Sequence, residues 1–239
     1  QATPILLYHH ISAEEPPSRY FVTREQFYLQ IKHMKKCGYT ALTISQFAAA
    51  LRNGLLLPEK PVVITFDDGY SEIYLNALPI LYQAGYPAVV YLIADLIGGE
   101  GYLTIEQVHS LAAAGWEVGS HSKSHIDLRS KPDVWHVEIA QSRRMLVSTL
   151  GVPAFSFSYP YGLATAGMLR FVRESGYTSA VGLGGGIHHL SQDLYYLQRI
   201  EVDGHWDLAQ FSKALPWKYT PRREEIRVQQ EEQPLRRTR

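Results

Sequence analysis

The sequence predicts an α/β fold, a distorted (β/α) barrel of about seven strands in one domain. Three observations carry that prediction. Short apolar runs alternate with capped, amphipathic segments from residue 4 to about residue 202, the pattern of a mostly parallel sheet with outer helices. Several of those runs, "PVVITF" at 61–66 above all, are apolar without a break, as strands covered on both faces are. Seven or eight strand candidates within 239 residues favour a closed sheet over an open one, and in closed barrels the chemistry gathers at the carboxyl ends of the strands.

The elements follow in order. "PILLYHHI" at 4–11 reads as a strand that ends at His9 and His10. Thr23 and Gln26 form a capping-box pattern that opens a helix ending at Cys37-Gly38. A short strand at 40–43 and a helix at 45–53, stopped by Gly54, precede the strand at 61–66. A helix is expected over 71–84, a strand over 88–93 and a helix capped by Thr104 and Gln107 that ends at Gly115. A strand at 116–119 leads to a helix near 132–150, on which Trp135, Ile139, Ser142, Leu146 and Leu150 share one face. The strand "AFSFSY" at 154–159, a helix at 165–175 and strands near 178–182 and 196–202 complete the alternation. The domain is placed at residues 1–217, and the charged stretch 218–239 is read as a peripheral tail without catalytic content.

Composition narrows the function classes. Hydrophobic residues make up 46% and charged residues 19%, a globular balance. Lys plus Arg and Asp plus Glu both number 23, so there is no broad basic footprint for nucleic acid. Cys37 is the one cysteine, which excludes an intramolecular disulfide and a cysteine-built metal site. No run of about 18 apolar residues could span a bilayer. The start at Gln1-Ala2-Thr3 is compatible with a processed terminus. The 16 tyrosines and four tryptophans mostly serve core packing, with sugar stacking as a second use.

Polar residues interrupt the strands at two places. "ITFDDGY" sets Asp67 and Asp68 directly after a buried strand, and "VGSHSKSH" sets His121 and His125 after another. The spacing of four would bring both imidazoles to one side of a helical turn. Asp-Asp-Gly alone is often a turn, and His-x-x-x-His alone is often a solvated helix face. Both at strand ends of one α/β chain favour a metal site, since one carboxylate with two imidazoles leaves positions for water and substrate. The other carboxylate can then stand beside the attacking water as general base. Zinc is the first expectation, and cobalt, nickel or iron suit the same donors.

"TFDDG", "HSKSH" and "YPYG" resemble the first three motifs of the NodB-type polysaccharide deacetylases, carbohydrate esterase family 4, over roughly residues 4–215. The resemblance implies a distorted (β/α) barrel that removes acetyl groups from N-acetylglucosamine units. Carried over by position, it implies Asp67 as base, Asp68, His121 and His125 as metal ligands, and the backbone N–H of Tyr161 at the oxyanion. Two departures stand out. Many members carry an arginine two residues before the motif-three proline, where this chain has Ser158; Arg199 in "LQRIEVD" is the candidate replacement, with Arg199, Glu201 and Asp203 on one strand face. The late Leu-x-His motif that carries the acid is missing, but "LYH" at 7–9 has its form. First and last strands of a closed barrel are neighbours, so His9 becomes the candidate general acid, with His10 pointing elsewhere and Asp203 keeping His9 protonated. This permuted arrangement resembles the branch that deacetylates poly-β-1,6-N-acetylglucosamine; chitin oligomers and peptidoglycan are the alternative polymers.

The expected protein is therefore a secreted, surface-acting, monomeric hydrolase of N-acetylglucosamine polysaccharide. "GLLLPEK" at 54–60, together with "LIGG" at 96–99, is the candidate for peripheral membrane contact if exposed. A non-haem iron oxygenase shares the ligand types, but such sites usually sit in all-β folds. A sugar-binding barrel without activity would not need Asp67. A glycosidase is disfavoured because its carboxyl groups must flank the bond about 5 Å or more apart.

Overall fold

The computed structural model describes residues 2–12 and 18–218; the tail assigned to 218–239 lies outside these apart from Lys218. Among the described residues, ten strands and eight α-helices follow one another. They are β1 (Ile5–Tyr8), β2 (His10–Ser12), β3 (Phe21–Thr23), α1 (Arg24–Cys37), β4 (Thr40–Leu42), α2 (Ile44–Asn53) and β5 (Pro61–Phe66). Next come α3 (Glu72–Asn76), α4 (Leu78–Ala84), β6 (Val89–Leu92), α5 (Ile105–Ala113), β7 (Glu117–Ser120) and α6 (Ser142–Leu150). The chain continues with β8 (Ser156–Ser158), α7 (Ala166–Glu174), β9 (Ser179–Val181), β10 (Ile200–Glu201) and α8 (Leu208–Ala214).

The main sheet is parallel throughout, in the order β10-β1-β5-β6-β7-β8-β9, with β4 also paired to β5. A bridge between Val181 and Leu197 then ties β9 to the segment that leads into β10. The ring therefore returns to its start, and Arg199 sits where the last strand turns back to meet the first. The fold is the expected distorted barrel.

Strand alternation sorts the core into two layers. Leu6, Tyr8, Val62, Ile64, Phe66, Val90 and Leu92 face outward and pack beneath the helices. Ile5, Val63, Val89 and Tyr91 face inward, where Ile44 and Phe47 of α2 close the amino end of the barrel. Tyr91 fits inside because residue 119 is glycine: a Cβ there would stand 2.4 Å from its ring. The inward positions continue as His9, Asp67, His121 and Arg199 at the carboxyl end, so the same register that fills the core aims the polar residues into the mouth.

Local chemistry accounts for the boundaries. Thr23, Thr43 and Thr104 each close a complete capping box with a glutamine three residues on, as Asp207 does for α8. The helix expected over 71–84 is broken at Ala77, because Pro79 brings no N–H and crowds the preceding turn. The helix expected near 132–150 is composite: a 3-10 turn at Pro132–Val134, a π-helical turn at His136–Gln141, then α6. Its predicted face is nonetheless buried at Ile139, Ser142, Leu146 and Leu150. The strand expected at 4–11 divides into β1 and β2, and β2 pairs with β3 in a small second sheet.

Leu55 and Leu56 are exposed, Leu56 fully so, and precede β5 at the amino end of the barrel. The residues 96–99 follow β6 at the carboxyl end, and Ile97 packs on the outer core. The two segments thus lie at opposite ends and form no common surface, which corrects the expectation that they act together.

Candidate active site

A cleft of about 360 Å³ opens at the carboxyl ends of the strands, lined by His9, His10, Asp67, Asp68, His121, His125, Tyr161 and Arg199 among others. His9, Asp67, His121 and Arg199 converge here because each leaves an inward strand position, whereas Asp68, His125 and Tyr161 enter on left-handed loop backbone. Asp67 follows β5, and its N–H still donates to Tyr8 O at 3.0 Å. His121 follows β7, with its N–H on Leu92 O at 2.8 Å.

Asp68, His121 and His125 offer one ligand atom each, all within 4.8 Å of one another. Asp68 Oδ1 lies 3.5 Å from His121 Nε2 and 3.6 Å from His125 Nε2. Bonds of about 2.0–2.2 Å at tetrahedral angles would set donor atoms about 3.4 Å apart, so these separations fit a divalent ion. Asp68 Oδ1 is buried with no hydrogen-bond partner, an arrangement that is costly unless a cation completes it. His121 Nδ1 meets Ser158 O at 2.8 Å. A carbonyl only accepts, so Nδ1 carries the proton and the Nε2 lone pair faces the site.

The His121–His125 pair corrects the helical-turn expectation. The rings do meet, with centroids 4.7 Å apart, but on a loop in which Ser122 and His125 have φ of 66° and 58°. Asp68 and Tyr161, at 71° and 60°, complete the set of non-glycine residues with left-handed backbone among the described residues. All four sit in or beside the cleft, where such strain is expected to serve function.

Asp67 is buried and held from two sides. Arg199 donates from Nη1 to Oδ1 and from Nη2 to Oδ2, each at 2.7 Å. Ser158 Oγ donates to Oδ2 at 3.0 Å and itself accepts from Arg199 Nη2 at 2.9 Å. Thr65 Oγ1 and Gly182 O take the remaining Arg199 bonds. Burial alone would raise the Asp67 pKa; the Arg199 charge, with His121 and the Arg199 hydrogen bonds, overrides it and holds the carboxyl well below the usual range. Arg199 and Ser158, from different strands, thus hold the same carboxylate.

His9 lines the cleft with its ring edge-on to Tyr20 at 5.0 Å. Burial lowers its pKa, and Asp67 and Asp68 only partly oppose that. The expectation that Asp203 keeps His9 protonated is corrected. Asp203 accepts from the His205 N–H and faces its Nδ1, both at 2.9 Å, and Arg19 lies 3.9 Å away; it does not line the cleft. Glu201, from the same strand face, does line it and accepts from Arg19. His10 was expected to point elsewhere, yet it also lines the cleft, stacked between Phe21 and Tyr70 with Nδ1 2.7 Å from Glu72 Oε1. Sequence reasoning missed this pair because Glu72 is 62 positions away.

An α/β barrel whose mouth joins an Asp-His-His set able to hold a metal ion to a buried Asp-Arg pair has the groups that a hydrolase needs. The profile of the polysaccharide deacetylase family matches residues 56–180, and the chain belongs to that family, whose reaction is hydrolysis of a non-peptide amide C–N bond. A putative polysaccharide deacetylase of Bacillus subtilis, YxkH, is 31% identical over 200 residues, 83% of this chain and 71% of that protein. The poly-β-1,6-N-acetyl-D-glucosamine N-deacetylase of Escherichia coli K12 is 26% identical over 257 residues, 87% of this chain but 38% of that longer protein. Among solved structures, the Streptococcus pyogenes deacetylase PplD, in complex with acetate, superposes with a TM-score of 0.84 at 27% identity, over 90% of this chain and 98% of that one.

Proposed function

We propose that this chain is a metal-dependent de-N-acetylase of an N-acetylglucosamine polymer, with poly-β-1,6-N-acetylglucosamine as the favoured substrate. The observation that carries the reading is the Asp68, His121 and His125 set beside an Asp67 locked by Arg199. Two things support the polymer: the named activity of the Escherichia coli relative and the place of His9 on the first strand. In this reading the protein works as a monomer outside the cell or at its surface. Zinc is the favoured ion, with cobalt, nickel or iron as alternatives.

A divalent ion held by Asp68, His121 and His125 would acidify water and polarise the acetyl carbonyl. Asp67 takes the proton from the attacking water. From Asp67 the proton passes to His9, which lines the same cleft. The N–H of Tyr161 donates to the oxyanion of the tetrahedral intermediate. His9 then gives the proton to the departing amine, so the products are glucosamine and acetate. Leu7 and Leu183 add apolar wall beside these groups, suited to an acetyl methyl.

The test is acetate release from β-1,6-linked poly-N-acetylglucosamine, chitin oligomers and peptidoglycan, with metal-stripped protein as control. The β-1,6 polymer is expected to give the fastest release, and only with metal restored. Faster release from chitin or peptidoglycan overturns the polymer, and no release from any of them overturns the activity.

Exposed Leu55 and Leu56 support a second reading, a peripheral membrane contact through the amino end of the barrel, which would leave the cleft facing away from the lipid. Anionic vesicles should sediment the protein, and Leu55→Ser with Leu56→Ser should abolish that; equal sedimentation of both forms refutes it.

A further inference from the structure

The loop that carries His125 makes hydrogen bonds that the proposed chemistry does not use. The Lys123 N–H donates to Glu138 Oε2 at 3.1 Å, and the Ser124 N–H donates to the same oxygen at 2.9 Å. Ser124 Oγ donates to Oε1 at 2.6 Å. Several other polar groups of the turn are paired as well: the Ser122 and Lys123 carbonyls accept from Ala94 and Asp95, and the His125 N–H donates to Ser122 Oγ at 2.9 Å. Glu138 is 5% exposed and lies in the π-helical turn His136–Gln141. Such turns recur at functional sites, and this one buries Glu138, Ile139 and Ala140 in succession.

We propose that Glu138 is a positioning residue for the metal site: its carboxylate gathers two consecutive backbone N–H groups and so holds the strained loop that aims His125 at Asp68. The inference rests on the Asp68, His121 and His125 site argued above. The physical case is a balance of strain against charge. Ser122 and His125 both occupy the left-handed region, which costs a non-glycine residue on the order of 1 kcal/mol each. Charge-assisted hydrogen bonds to a buried carboxylate are about twice as strong as neutral ones, and here three converge on one side chain. Without them the turn relaxes, and the His125 ring leaves the position at which its Nε2 stands 3.6 Å from Asp68 Oδ1. Glu138 touches neither the ion nor the substrate. It acts through His125.

The test is zinc affinity of the purified chain by competition with a chromophoric chelator, alongside the melting temperature of the metal-free protein. Glu138→Ala is expected to weaken zinc binding by about 10–100-fold, the usual effect of losing a group that orients a ligand. Turnover should recover at saturating zinc, which a general loss of structure would not allow. Glu138→Gln keeps an oxygen for the two N–H groups but loses the charge, and its zinc affinity should fall between those of the parent and Glu138→Ala. Zinc binding by Glu138→Ala as tight as the parent's overturns the proposal. If Glu138→Ala does not fold, Glu138→Asp decides, since it draws the carboxylate back by one methylene: a loss of about 10-fold is expected, and unchanged affinity overturns the proposal. A parent chain that binds no zinc overturns the metal site itself, which is a different failure.

Discussion

Replacing Arg199 with methionine keeps most of the side-chain volume and removes the charge that holds Asp67. The parent guanidinium is 1% exposed and donates to Asp67, Ser158, Thr65 and Gly182. In the variant, Asp67 stays buried with only Ser158 Oγ as a donor. Breaking a buried pair from one side costs about 3–5 kcal/mol, and a domain of this size loses about 2–4 °C per kcal/mol. The melting temperature should therefore fall by about 6–20 °C. The pH dependence should also change sign. In the parent the Asp67 pKa lies below its unfolded value of about 3.9, so its stabilisation is complete above about pH 4 and is lost as pH falls towards the folded pKa. In Arg199→Met, burial, the largest single cause, is opposed only by His121, His9 and the Ser158 hydrogen bond, so the folded pKa should rise above the unfolded value and stability should decline as pH rises from about 4 through it. Thermal melts at several pH values show this directly. A double-mutant cycle adds the control: Arg199→Met with Asp67→Asn leaves no buried charge and should be less destabilised than the sum of the single variants by about 1–3 kcal/mol. Turnover should drop more than KM rises, because the base is protonated for more of the time. Additive stabilities, together with unchanged kcat, would refute the claim that Arg199 acts on Asp67.

Asp68→Ala, His121→Ala and His125→Ala should each lose metal and activity together, whereas Asp67→Asn should keep the metal by elemental analysis and lose turnover. His9→Ala should cut kcat by about 10²–10⁴-fold with metal content unchanged, and His10→Ala should cost far less; equal losses would end the assignment of His9 as the acid. Glu117, inside the amino end of the barrel, accepts from Ser45 N and Ser156 Oγ, yet burial pushes its pKa up. Its contribution is therefore full below the unfolded value of about 4.3 and is lost as pH rises through the folded pKa. Glu117→Gln should flatten that decline in chemical denaturation at pH 5 and pH 8.

Much of this was legible in the sequence because it is carried by short-range chemistry. Capping boxes at Thr23 and Thr104 are complete within four residues, and the run 61–66 declares a doubly covered strand. That Asp67 and His121 meet in one cleft was legible because each directly follows a strand at an inward position. What escaped depended on tertiary geometry. Nothing local tells that His121–His125 turns through left-handed backbone in place of a helix, or that Glu138, one position before the core residue Ile139, answers that loop. Asp203 was placed on the correct strand face by alternation, but β10 ends at Glu201, and beyond it the register no longer governs direction. The helix at Leu208–Ala214 was missed although Asp207 and Gln210 carry its cap.

The single arginine in the barrel mouth also constrains how such a site can change through descent. Ser158 and Arg199 reach the same carboxylate from different strands, and the guanidinium already occupies the space a longer side chain on β8 would need. Arginine at both positions would crowd two cations against Asp67; arginine at neither would strand its charge in the core. A lineage cannot drift from one solution to the other by independent steps. Moving the arginine from one strand to the other would pass through a form that loses either stability or the held carboxylate.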